Sequence, residues 1–302
     1  MKKIFVLFFG LAMASTGEFA DAAAAIVTHL TGTAQAIPAT GTPRALRSSD
    51  AVNEGESVTT GENSSLVMRF EDGQIVAIGA RSRMAINAYV YNTKEPAKNN
   101  VLLSLVNGSM RALTGLIGKF APERVAYRAG NATIGIRGTD VSFATAGGDV
   151  VVSVVNGAIA FNFQGKTINI PAGQAALTSK GKMTSGTIAA INAAVAANPA
   201  LAAALKSIAS DALQKAVAEA AAKAAADAKA AADAKAAADA KAAADAKAAA
   251  DAKAAADAKA AADAKAAADA KGTTTGNAPL LGSGSTGAGS TGSGGGGKAS
   301  GS

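Results

Sequence analysis

The chain has 302 residues, with 29 Lys and Arg against 22 Asp and Glu, a net charge of +7, no Cys, no Trp and a single histidine, His29. Without Cys there are no disulfides, Cys-based zinc sites, thiol nucleophiles or acylated lipoprotein cysteine. Residues 25–185 carry 15 basic and 10 acidic side chains, an excess that favours anionic surfaces but falls well short of a nucleic-acid-binding signature.

Residues 1–24 read as an export signal: Lys2 and Lys3 precede the apolar run Ile4 to Met13, and small residues follow. Cleavage is expected near Ala22 to Ala24, with Ala14 as the other zone. An uncleaved anchor is the alternative, but the run is short for a spanning helix, and no second stretch of the sequence is apolar enough to cross a bilayer. The expected location is periplasmic or secreted.

Residues 25–185 show short alternating runs punctuated by turn residues, the pattern of an antiparallel β-sandwich or roll. Leu66, Met68 and Phe70 alternate before Glu71-Asp72-Gly73, and Gln74 to Ile78 returns. Asn107-Gly108 after Val101 to Val106, and Asn156-Gly157 after Val150 to Val155, carry the hairpin signal, in which both central residues take positive φ. Gln164-Gly165 and Pro171-Ala172-Gly173 mark further turns.

Residues 186–198 predict a short helix from Ile188 to Ala197. Asn198 and Pro199 then suit the N-cap and first position of a new helix, expected to run from 199 to 271, on the order of 110 Å if straight. Leu201, Leu205, Ile208, Leu213 and Val217 give its early part an apolar stripe able to dock on the sheet or on a partner. From Lys223 to Ala270 the hexad Lys-Ala-Ala-Ala-Asp-Ala repeats without error. Six residues advance a net 240°, so the charges visit three directions and leave no wide apolar face. Such a segment is a rod or spacer, and its alanine stripes leave self-association open. Residues 272–302, rich in Gly, Ser and Thr, read as a flexible tail.

Three strings belong together: Glu56 to Phe70 with Glu71-Asp72-Gly73 after it, Leu103 to Leu113, and Ala132 to Phe143, which contains Ala-Thr-Ile-Gly-Ile-Arg-Gly-Thr-Asp. Over about Gly55 to Gly173 the chain resembles the FecR domain. That resemblance implies a regulatory, non-enzymatic β-domain outside the cytoplasm, which in FecR regulators receives a signal from an outer-membrane receptor. The cytoplasmic anti-sigma segment and membrane helix of those regulators have no counterpart in the sequence, so a stand-alone exported version is expected. The rod resembles, in composition only, the spacer helix of the TolA family.

The expected function is a non-enzymatic binding or scaffolding module of the bacterial envelope. The alternative is an accessory of envelope signal transduction that passes a ligand-dependent state to a membrane regulator. Partners are an envelope protein or an anionic envelope polymer, with no nucleic acid and no cofactor. Arg111, Lys119, Arg124, Arg128 and Arg137, opposed in their span only by Glu123, are the candidate partner-binding residues; solvated strand edges are the plainer account of the same charges. In the signature string, Arg137 is expected either to pair with Asp140 or to contact a partner through its guanidinium fork. No paired carboxylates, calcium loop or nucleotide fingerprint emerges, and His29 has no evident catalytic partner.

Overall fold

The chain is described from a computed structural model over residues 23–272. The expected export signal lies almost wholly outside these residues, as does the Gly/Ser/Thr tail. Fifteen strands form one open sheet, not a barrel, that folds over itself into two layers. In chain order they are β1 (Ala25–Thr31), β2 (Ala34–Ile37), β3 (Arg44–Ala45), β4 (Ala51–Val52), β5 (Ser57–Thr60), β6 (Ser65–Phe70), β7 (Ile75–Ile78), β8 (Arg83–Val90), β9 (Asn100–Leu113), β10 (Val125–Ala129), β11 (Ala132–Ala146), β12 (Asp149–Phe163), β13 (Lys166–Pro171), β14 (Gln174–Ser179) and β15 (Lys182–Thr187).

Three long strands, β9, β11 and β12, belong to both layers. The C-terminal half of β9 pairs with β7 and β11, whereas its N-terminal half pairs with β8 and β10. The first half of β12 pairs with β14 and its second half with β13. Each strand therefore bends where it leaves one layer for the other. Asn107-Gly108 and Asn156-Gly157 lie inside these strands, so the two expected hairpins are β-bulges. The dihedrals give the reason. Gly108 and Gly157 have φ of 90° and 77°, but Asn107 and Asn156 are not in the positive region that a two-residue hairpin requires of both residues. At Gln164-Gly165 and Lys180-Gly181 both residues are positive, and there the chain does reverse.

All pairings are antiparallel except β9 with β10. The connection between these two contains helix α1 (Leu116–Phe120) and a 3-10 turn at Pro122–Arg124. One hydrophobic core lies between the layers. Leu66, Met68, Phe70, Met110 and Phe143 enter it from the first layer, and Met84, Ile86, Tyr127, Ile134 and Phe161 from the second.

Three further helices follow: α2 (Ile188–Val195), α3 (Pro199–Ile208) and α4 (Asp211–Gly272). The Thr187 hydroxyl accepts from the Ala190 N–H to cap α2, and the Asn198 side chain accepts from Leu201 to cap α3 behind Pro199. The helix expected to run unbroken from Pro199 stops at Ile208. Gln214 Nε2 donates 2.6 Å to the carbonyl of Ile208, satisfying a terminal acceptor, and α4 begins anew at Asp211.

The apolar stripe docks on the outer surface of the first layer. Ile191, Val195 and Leu201 pack on Ala144, Val151 and Ala175. Ile208, Leu213, Ala216, Val217 and Ala220 pack on Val67, Ile75 and Ala77. Two compact units result, divided after Asp233. The second contains the remaining hexads of α4, continuous in helix and exposed through Ala268.

Candidate functional site

The second layer offers the site, because the outward-facing residues of its central strands are unburied. Residues paired directly across strands share a face, and alternate residues along a strand return to it. From Met84 and Ile86 in the core, Arg83, Ala85 and Asn87 of β8 point outward. Ala85 faces Ser104 of β9, and Arg128 of β10 lies between Ser104 and Thr133 of β11. Further along β11, Arg137 faces Ala158 of β12, which with Ala160 and Asn162 extends the surface to Thr167 of β13. None of these residues is buried. The surface is broad, built from small, hydroxyl and amide side chains, and contains three arginines but no carboxylate among them.

The five expected cations separate. Arg128 and Arg137 share this face, about 13 Å apart along the strand direction. Arg124 immediately precedes β10, at the end where Arg137 lies, and is exposed. Lys119 sits on α1 and lines a different groove, with Arg69, Glu71 and Asp227. Arg111 is held on the first layer beneath the helices. Its Nε and Nη2 donate 2.8 and 2.6 Å to the two carboxylate oxygens of Asp140. The expected Arg137–Asp140 pair is therefore replaced by Arg111–Asp140, since the bulge at Gly138 (φ 60°) rotates Asp140 onto the other layer, opposite Leu113. Arg83 is the arginine that sequence reasoning passed over. Its signal was present in the alternation Arg83, Met84, Ala85, Ile86.

The string Ala132 to Asp140 thereby acquires a structural meaning. Ile134 and Ile136 fill the core, and Thr133, Gly135 and Arg137 present the bare face. Gly138 then bends the strand, the Thr139 N–H donates 2.7 Å to Thr114, and Asp140 clamps Arg111.

A second cluster is buried at the β6–β7 turn. Asp72, 1% exposed, accepts from the N–H groups of Gln74 and Ile117 and from the Tyr89 hydroxyl, while its carbonyl accepts from Leu116. Burial is the chief influence on its carboxyl and raises the pKa, only partly opposed by these hydrogen bonds. Burial likewise pushes the Tyr89 and Tyr127 hydroxyls upward. Tyr127 donates to Gln74 Oε1 at 2.8 Å, and Gln74 Nε2 lacks a partner among the described residues. This network pins α1 to the hairpin. The turn expected at Glu71-Asp72-Gly73 is present, but its second residue also anchors a distant helix. Among the described residues no three His, Cys, Asp or Glu side chains gather as a metal site, and no helix is long and apolar enough to cross a membrane.

These features define a bent two-layer β-domain with one face partly covered by its own helices and the other open. The FecR protein family model matches residues 56–160, spanning both layers, the bulged strands and the three arginines of the open face. Residues 56–160 carry a FecR domain. No curated protein matches the sequence. Two crystal structures of a candidate anti-sigma factor from Parabacteroides distasonis ATCC 8503, at 2.50 and 1.65 Å resolution, show similarity at 12% identity, with TM-scores of 0.37 and 0.36. Each alignment covers 43% of this chain and 59% of that one.

Proposed function

We propose that this chain is an exported, non-enzymatic module of the bacterial envelope whose open sheet face holds an anionic envelope polymer, with the hexad helix serving as a spacer. The observation that carries this reading is the bare outer face of the second layer. A sheet face whose outward residues are unburied is available to a partner, and this one bears Arg83, Arg128 and Arg137 with no acid among them. Guanidinium groups suit carboxylate and phosphate. The surrounding Asn87, Ser104, Thr133, Asn162 and Thr167 supply the hydroxyls and amides that a glycan chain requires.

Cosedimentation of the full chain with purified peptidoglycan sacculi tests this. The triple charge reversal R83E/R128E/R137E is expected to lower the pelleted fraction at least tenfold, with an unchanged thermal midpoint, and added salt is expected to weaken wild-type binding. Equal pelleting of the two proteins overturns the reading.

The family match favours a second reading, an accessory that conveys a ligand-dependent state to a membrane regulator. Photo-crosslinkers at Thr133 and Asn162 that trap one inner-membrane protein only in the presence of a ligand would establish it.

A further inference from the structure

On the opposite side of the domain, α2 and α3 do not seal the first layer completely. Between these helices, the start of α4 and strands β9, β11 and β12 lies a cavity of about 510 Å³, a size typical of small-molecule sites. Its floor is one row across three strands. Arg111 faces Ser142 on β11, and Ser142 faces Ser153 on β12. Ile188, Val195, Leu205 and Ile208 contribute the apolar wall, and Lys206 is its second cation.

Three properties of this cavity point to a ligand of one kind. Two cations line it and no carboxylate does. Asp140 compensates Arg111 from behind but occupies only Nε and Nη2, leaving Nη1 without a protein acceptor among the described residues. The apolar wall lies against this polar row, so a wholly polar solute would leave the leucine and isoleucine side chains unmatched, and a wholly apolar one would strand Arg111, Ser142 and Ser153.

We infer that the cavity binds a small amphiphile, with a carboxylate or phosphate head at Arg111 and Lys206 and an aliphatic body against Ile188, Val195 and Leu205. The site is separate from the open sheet face, and it stands or falls independently of polymer binding there.

Titration calorimetry of the full chain with decanoate, decyl phosphate and decanol tests the inference. Saturable one-to-one binding of decanoate or decyl phosphate is expected, with decanol at least tenfold weaker, and the tighter of the two anions identifies the head group. K206E, an exposed change that leaves the core intact, is expected to weaken the anion at least tenfold. A202F is expected to abolish binding by filling the space, and R128E on the opposite face is expected to leave it unchanged. No saturable binding by the wild type, equal affinity for decanol, or wild-type affinity in K206E would overturn the inference.

Discussion

Arg111 and Asp140 form a two-pronged ion pair at 2.8 and 2.6 Å, with side chains only 15% and 18% exposed. It joins β9 to β11 just beyond the bulge at Gly138. Removing one partner strands a partly buried charge, which costs more than removing both. Arg111→Met is expected to destabilise the domain by about 2–4 kcal/mol, with R111M/D140N recovering part of that loss. Arg137→Ala, in contrast, is expected to stay within about 0.5 kcal/mol, because its side chain is exposed on the open face. Urea denaturation of the four proteins checks the order, and an Arg137→Ala loss as large as that of Arg111→Met would show that the clamp is misassigned.

The same pair shows how far the sequence could be read. Alternation located the strands and the core, because Ile134, Ile136, Ile159 and Phe161 face inward by simple period two. Asn-Gly announced a glycine in the left-handed region, but a hairpin and a bulge make that same demand on glycine. They differ in the φ of the preceding asparagine, which composition does not reveal. Two hairpins thus became two bends, and the partner of Asp140 changed with them. The expected cations were scattered for a related reason, since Arg111 and Arg137 are on different layers of one folded sheet. Helix docking was legible from the stripe Leu201 to Val217, whereas the Asp72 network was not, since it depends on contacts with Tyr89 and Ile117, far away in sequence.

Gly157 is a tight point where β12 bends. A Cβ there would fall on the carbonyl oxygen of Gly138, and its φ of 77° disfavours any side chain. Gly165 has φ of 80° in open space. Gly165→Ala therefore bears only the backbone cost, about 1 kcal/mol, whereas Gly157→Ala adds a clash with main chain and is expected to exceed about 2–3 kcal/mol. Thermal unfolding should rank them in that order; equal midpoints would show that the crossing of β11 and β12 relaxes freely.

Asp72 makes stability depend on pH. Its folded pKa is raised by burial above the ordinary carboxyl value of 3.8, so between the two values the folded state holds the proton more tightly than the unfolded state. Stability contributed by the protonated carboxyl is present below the unfolded pKa and is lost as pH rises toward the folded one, then stays level. The difference in unfolding free energy between wild type and D72N should therefore fall with rising pH from about 4 and flatten above the folded pKa. A difference that rises over that window would mean that the Gln74, Ile117 and Tyr89 hydrogen bonds outweigh desolvation.

The first turns of α4 separate burial from charge. Val217 is 2% exposed against Val67 and Ile75, whereas the Arg69–Asp227 ion pair, at 3.0 Å, joins side chains 32% and 46% exposed. Exposed pairs contribute about 0–1 kcal/mol, but a buried valine contributes several times that, and an aspartate in its place also buries a charge. Asp227→Ala is expected to leave the protease sensitivity of residues 211–233 unchanged. Val217→Asp is expected to release this segment, with cleavage at Lys215 and Lys223 at least tenfold faster by limited trypsinolysis while the β-domain stays folded by near-ultraviolet circular dichroism. If Asp227→Ala instead accelerated cleavage as much as Val217→Asp, the hexad charges rather than the apolar stripe would be what holds these turns to the sheet.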